Sequence, residues 1–257
     1  MEARLESPVL FRKILDALRE LVEEANIDCN QSGLSIQAMD ANHVALVAMH
    51  LNAKGFDEFK CEDNLTLGVN LGSIQKILKC GDANDTLTLR SNEENSELKF
   101  QLDNQGRVFE FSMALMDIDT DRLTIPDSEP EAAITMASSE FQRICKDLTQ
   151  FGDTVKICVN KKTATFSVSG TTGNGTITLG KFETAKEDSL DIQCETKVEL
   201  SFALRFLSLF TKAAPLAENV RLDLSSERPL MVQFDLEDDA GYIKYYLAPK
   251  VDDEDEE

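Results

Sequence analysis

The chain has 257 residues, 42% of them apolar, and a formal net charge of −21. Such an apolar share builds one large core or two ordinary ones and excludes a disordered chain. The start Met1-Glu2-Ala3-Arg4-Leu5-Glu6 lacks the apolar centre of a secretory signal, and the stretch from Val44 to Met49 is too short to span a bilayer, so a soluble intracellular protein is expected.

In chain order, Phe11, Ile14, Leu15 and Leu18 recur at helical spacing and predict an amphipathic helix over 7–22, with Ser7-Pro8 as cap and opening turn. Leu34 to Met39 alternates as a strand, a short helix follows over 72–80, and Leu98 to Leu102 alternates again before Gly106-Arg107-Val108. Residues 117–132 are acidic, carry Pro126 and Pro130, and lack either periodicity, as a connector does. The pattern then recurs. Phe141, Ile144, Cys145 and Leu148 repeat the first stripe at an offset of 130, in a helix predicted over 138–150 with Ser138-Ser139-Glu140 as cap candidates. Ala164 to Val168 alternates, a second short helix is predicted over 202–212, and Val232 to Leu236 precedes Gly241-Tyr242-Ile243. This is a duplicated α+β domain, 1–116 and 133–250, each half antiparallel sheet covered by two helices, with an acidic tail over 251–257.

Net charge alone speaks against DNA, because non-specific binding needs Lys and Arg against phosphates. The distribution reverses that. The predicted helices carry Arg12, Lys13, Arg19, Lys76, Lys79, Arg143, Lys146, Arg205 and Lys212 against Asp16, Glu20, Glu140 and Asp147, a surplus of five that leaves −26 for the rest. One helix of this kind is an ordinary solvated face. Four in so acidic a chain point to a shared surface for a polyanion. No aromatic residues interleave the cations, so they would contact phosphates and neither stack on nor specify bases.

Motifs for chemistry fail. The six cysteines (Cys29, Cys61, Cys80, Cys145, Cys158, Cys194) form no CxxC, and His43 and His50 are the only histidines, so free thiols and no zinc are expected. Sequons at Asn30, Asn64, Asn84 and Asn174 are chance matches in an intracellular chain. Asp117-Ile118-Asp119-Thr120-Asp121 opens like a calcium loop but has Arg122 where glycine and Ser128 where glutamate is required. Gly175 to Lys181 resembles a phosphate loop but continues with Phe182, and its alternation is a strand's. Gly170-Thr171-Thr172-Gly173-Asn174-Gly175 reads as a hairpin turn with positive φ at glycine and Asn. No catalytic residue and no cofactor is assigned.

The runs Phe56-Asp57-Glu58-Phe59-Lys60-Cys61, Leu67-Gly68-Val69-Asn70-Leu71, Lys76-Ile77-Leu78-Lys79-Cys80, Leu115-Met116-Asp117-Ile118-Asp119, Phe202-Ala203-Leu204-Arg205-Phe206 and Lys244-Tyr245-Tyr246-Leu247-Ala248-Pro249-Lys250 carry a likeness. Together they resemble the proliferating cell nuclear antigen family of eukaryotic DNA sliding clamps, over nearly the whole length. The resemblance implies the DNA-clamp fold and a nuclear homotrimer whose helices line a hole around double-stranded DNA, bound without regard to sequence. It implies a processivity factor that docks polymerases (those of translesion synthesis included), the clamp loader, nucleases, ligase and repair proteins through aromatic-anchored peptides.

Residue by residue, the likeness places Lys13, Arg19, Lys60, Lys76, Lys79, Arg143, Lys146, Arg205 and Lys212 towards DNA. It places Cys80, Arg107, Phe109, Phe111, Met113, Arg143, Gly175, Ile177 and Leu179 at the subunit contact, with Phe111 where the family often has tyrosine. The partner groove would be formed by Met39, His43, Val44, Leu46, Leu123, Ile125, Pro126, Pro229, Tyr245, Leu247, Ala248, Pro249 and Lys250. Lys161 matches the family's regulatory modification lysine, with Lys162 beside it. The competing readings are a checkpoint-type clamp subunit that needs different partners, and an acidic chaperone-like protein that binds basic chains; a hydrolase has no residues to nominate.

Overall fold

The computed structural model describes residues 1–91, 96–104, 106–119, 123–125, 129–180 and 190–250. Pro126 of the expected groove, Thr120 to Arg122 of the connector, Lys181 and the acidic tail 251–257 lie outside the described residues. Two units divide the chain, Met1–Leu123 with Asp235–Ile243 and Thr124–Phe234 with Lys244–Glu257.

The first nine strands and two helices run β1 (Glu2–Leu5), α1 (Val9–Leu18), β2 (Glu24–Asn30), β3 (Gly33–Met39), β4 (Ala45–Asn52), β5 (Glu58–Lys60), β6 (Leu65–Asn70), α2 (Leu71–Leu78), β7 (Thr86–Arg90), β8 (Glu97–Asn104) and β9 (Arg107–Ala114). They form antiparallel sheets of order β5-β1-β7-β8-β9 and β4-β3-β2-β6. Then follow β10 (Ala132–Ala137), α3 (Ser138–Leu148), β11 (Thr154–Val159), β12 (Thr163–Gly170), β13 (Gly173–Gly180), β14 (Asp191–Cys194), β15 (Val198–Ala203), α4 (Leu204–Phe210), β16 (Asn219–Ser225), β17 (Arg228–Asp235) and β18 (Gly241–Leu247). Their orders are β14-β10-β16-β17-β18 and β13-β12-β11-β15, the first pair with every strand number raised by nine. The duplication is therefore topological and complete, although side-chain identities between the halves are few.

Packing explains the repeat. Phe11, Ile14, Leu15 and Leu18 of α1 and Phe141, Ile144, Cys145 and Leu148 of α3 are all buried, one stripe per helix. At roughly 1.5–3 kcal/mol for each large side chain removed from water, each stripe drives its helix onto the sheet. Strand alternation does the rest: Ile27, Cys29, Leu34 and Ile36 point inward while Asn26, Asp28, Ser35 and Gln37 face out.

Helix ends differ from expectation. The helix predicted over 7–22 spans Val9–Leu18, because Leu21 and Val22 both donate to the Leu18 carbonyl and turn the chain. Pro8 is its N-cap and makes no side-chain cap, while Ser7 Oγ takes the Val9 amide at 3.3 Å. Ser138, expected as a cap, is the first residue of α3, and its buried hydroxyl has no partner among the described residues. The helix predicted over 202–212 loses Phe202 and Ala203 to β15, where they pair with Val155 and Thr154, and continues past Phe210 as a 3₁₀ turn containing Pro215. In the β12–β13 hairpin Gly170 pairs with Gly173, and Gly173 alone takes the positive φ, at +153°; Asn174 and Gly175 are ordinary strand residues. A Cβ at Gly170 would run into the Phe151 carbonyl, so close approach demands that glycine.

Candidate functional site

The cations predicted to face DNA sort into free and engaged ones. Lys13, Lys76, Lys79, Lys146, Arg205 and Lys212 are exposed on or beside the four helices and make no ion pair with a described residue, but the Arg205 guanidinium lies 4.7 Å from the ring of Phe206, an aromatic neighbour the sequence reading discounted. Arg19 follows α1 and is shared between Asp16 at 3.4 Å and Glu20 at 3.0 Å, and Arg143 pairs with Asp147 one turn on at 3.6 Å. Lys60 lies on β5, not on a helix, and pairs with Glu62 at 3.1 Å. Arg12, counted among the helical cations but not placed towards DNA, is engaged internally: its guanidinium donates to the Gly81 carbonyl at 2.7 Å and ties α1 to the segment after α2. Gln75 of α2 donates to Asp16 of α1, so that acid is also spent inside the helix pair. In the second unit Gln142 reaches the Thr211 carbonyl at 3.2 Å. Arg143, Lys146 and Lys212 line an open groove of about 730 Å³ there, with Gln142, Ser208 and Thr211. A groove with three cations and one acid, Asp147, suits phosphate oxygens.

Seven of the nine expected subunit contacts fall on sheet edges, while Arg143 lies on α3 and Cys80 after α2. β9 ends the sheet β5-β1-β7-β8-β9, β13 ends the sheet β13-β12-β11-β15, and each is eight residues long. Phe109, Phe111 and Met113 are half-buried along one face of β9, as are Gly175, Ile177 and Leu179 along β13. Arg107 opens β9 with its guanidinium 5.7 Å from the Phe109 ring and 3.6 Å from Asp82. Cys80 is exposed after α2, its thiol donating to the Lys76 carbonyl at 3.4 Å. Phe151, beside the β13 glycines and 41% exposed, has no counterpart in the expected contact set; an aromatic directly after a helix stripe was the available signal.

On the first unit, Met39, Val44 and Leu46 lie where β3, the loop after it and β4 meet, with His43 exposed between them. Asp40 shapes that loop. Its carboxylate accepts the Val44 and Ala45 amides at 2.7 Å each and the Asn42 amide at 3.1 Å. Burial by itself would push this carboxyl up, but the amides of Ala45, Asn42 and Val44 outweigh it and hold it below the usual aspartate range. Beyond β9 the chain is strapped across strands β6, β2 and β3 in turn. Met116 donates to the Gly68 carbonyl at 2.8 Å, Asn26 donates to the Ile118 carbonyl at 2.8 Å, and Gln37 brackets Leu123. Leu123 is thereby held with its side chain 44% exposed.

Two expected groove residues are corrected. Tyr245 is fully buried, stacked on Phe210 at 4.4 Å between ring centroids with Phe234 edge-on, and Leu247 is equally buried. Both are core residues, because the alternation of β18 turns them inward. Pro229, Ala248 and Lys250 are exposed, and Ile125 and Pro249 half-exposed. Lys161 is exposed in the β11–β12 turn, which Asn160 builds by accepting the Lys162 and Thr163 amides at 2.9 Å each. Among the described residues no cluster of His, Cys, Asp or Glu could hold a metal ion, and no helix is long and apolar enough to cross a membrane.

Two family models match the chain in succession. The N-terminal domain of proliferating cell nuclear antigen matches residues 1–123, and the C-terminal domain matches 124–250. The chain belongs to the proliferating cell nuclear antigen family. It is a two-domain protein of the DNA-clamp fold, and family membership supports a sliding-clamp role; clamps of this family are non-enzymatic scaffolds of replication and repair. Within the proliferating cell nuclear antigen frame, Gln37 and Asp40 were missed from sequence. Asp40 followed by Asn42 carries the weak signal of a side-chain-capped turn, whereas nothing local marks Gln37.

Proposed function

We propose that the protein acts as a nuclear homotrimeric ring that encircles double-stranded DNA without reading sequence, keeps polymerases processive and docks replication, repair and translesion proteins. The domains proposed are 1–116 and 133–250, joined by the connector 117–132 and followed by the acidic tail 251–257. The observation that carries the ring is the pair of bare edges. β9 and β13 are equal in length, each with an apolar half-buried row, and neither has a second partner strand among the described residues. Long open edges invite aggregation, and head-to-tail pairing of β9 in one copy with β13 in the next removes both at once.

DNA would contact the helical cations. With Lys13, Lys76, Lys79, Arg205, Lys146 and Lys212 making no ion pair among the described residues, they would exchange counterions with phosphates and carry no base-reading geometry. Lys60 would add a contact at the margin. Topology, and not affinity, would then keep the ring on DNA. Partner peptides would seat an aromatic anchor against Met39, Val44, Leu46 and Leu123, with His43 at the rim. Lys161, exposed in its turn, would accept regulatory modification.

The deciding experiment is a solution mass. Light scattering should give three times the 28.6 kDa of one chain at micromolar concentration, without other proteins added. A monomer would sink the ring; assembly only with different clamp subunits would favour the checkpoint-type reading.

A further inference from the structure

We propose that Asp40 is the positioning residue of the partner-binding surface: its buried carboxylate fixes the bend that presents His43 and Val44. The inference rests on the reading of that surface as a peptide-docking site, and it concerns a residue that need not touch the peptide.

Asp40 is 5% exposed, a rare state for a carboxylate unless every oxygen is occupied. Both oxygens are. Oδ1 receives the Val44 and Ala45 amides and Oδ2 receives the Asn42 amide, three donors from one loop converging on one side chain. The backbone of Asp40 completes the bend, its own amide donating to the Ala45 carbonyl at 2.9 Å and its carbonyl receiving the His43 amide at 3.0 Å.

The bend needs that hold because it is strained. His43 has φ of +56°, left-handed backbone that non-glycine residues seldom take, histidine more readily than most. Such a conformation is unfavourable in itself and persists only where surrounding bonds over-determine it. Three hydrogen bonds to one charged carboxylate, each stronger than its neutral counterpart, do so here. Without them His43 relaxes to negative φ, its ring swings away and the half-buried Val44 leaves its place beside Leu46.

The two substitutions at this site separate charge from shape. Asp40→Ala removes every acceptor. Asp40→Asn keeps an oxygen for Val44 and Ala45 but turns an NH₂ group towards the Asn42 amide, a donor facing a donor. Each variant is assayed as the full chain in two ways: titration of a fluorescein-labelled peptide with two aromatic anchors and basic flanks, and amide hydrogen exchange across residues 36–50.

The expected result for Asp40→Ala is at least tenfold weaker peptide binding with at least tenfold faster exchange at Val44 and Ala45. Exchange at Ile36 and Val47 and the oligomeric mass should stay as in the parent. Asp40→Asn should fall between the two in both assays. Parent-like affinity in Asp40→Ala overturns the proposal, and so does weakened binding with unchanged exchange, which would make Asp40 a direct contact. If Asp40→Ala does not fold, Asp40→Asn decides alone by the same two criteria. A parent protein that does not bind the peptide removes the docking-surface reading and with it Asp40's role there. The exchange data would still report whether Asp40 holds the loop.

Discussion

The side-chain amide of Gln37 grips Leu123 from both sides: its Nε2 donates to the Leu123 carbonyl at 3.0 Å, and its Oε1 accepts the Leu123 amide at 2.9 Å. Residues 86 apart in sequence are thus joined as two strands would be, by one side chain that imitates backbone. A connector is otherwise free to wander, and an apolar side chain on it would find its own core. The grip is what leaves Leu123 facing solvent.

Gln37→Ala should therefore weaken binding of an aromatic-anchored peptide while the fold stays intact. Each neutral hydrogen bond contributes about 0.5–1.5 kcal/mol net, and these are partly solvated, so a loss of about three- to tenfold is expected. Calorimetry on parent and variant measures it. Equal affinities would show that Leu123 is no wall of the docking surface.

Lys76→Glu with Lys79→Glu reverses two free cations on and beside α2. Both side chains are exposed, so stability should move by less than about 0.5 kcal/mol. Polymerase stimulation on long primed templates should drop, and the slope of DNA affinity against log salt should flatten by about one to two ions released. A variant with parent-like stimulation and salt slope would take these lysines off the DNA-facing surface.

At the β9 edge, Phe111→Lys places a charge in the half-buried apolar row between Phe109 and Met113. The chain should still fold, since Phe111 is not in the fully buried core, but the charge opposes pairing with a second copy. Sedimentation should show one-chain mass where the parent assembles. If both sediment alike, subunits meet elsewhere.

The thiols offer a test of the core that is independent of function. Burial pushes Cys145 up to about 12, and burial with the neighbouring Cys61 pushes Cys29 to about 12, so neither supplies thiolate in the native state. Iodoacetamide at pH 8 should leave Cys29 and Cys145 unlabelled until denaturant is added. Early labelling of Cys145 would mean that α3 does not pack as described.

How legible the fold was depends on which force acts. The helix stripes and the 130-residue repeat were readable because burial leaves a periodic mark, and the strand orders of the two halves follow from it. Helix ends were misplaced because hydrogen bonds decide them, as where β11 claims Phe202 and Ala203. Charge counting found the helical cations but could not see that Arg12 is consumed by the Gly81 carbonyl. Tyr245 shows the opposite failure. Inside a sequence run shared with a family it was assigned to a surface, yet strand alternation puts it between Phe210 and Phe234. Gln37 and Asp40 were invisible because their partners are backbone groups, which every residue possesses.

The Asp40 loop also carries a pH signature. Its carboxyl is held below its ordinary value of 3.8, since the amides of Ala45, Asn42 and Val44, with the Asn42 side chain, outweigh burial. A depressed folded value stabilises the loop fully above the unfolded value and is lost as pH falls through the folded one. Protection of the Val44 and Ala45 amides, corrected for intrinsic exchange, should thus stay constant from pH 7 to about pH 5. It should fall only below the ordinary aspartate range of about 3.9. The His43 ring is exposed and its amide bonds to the Asp40 carbonyl, so the ring takes no part in the three carboxylate bonds. Loss of protection near neutral pH would mean that a group other than the carboxylate governs the bend.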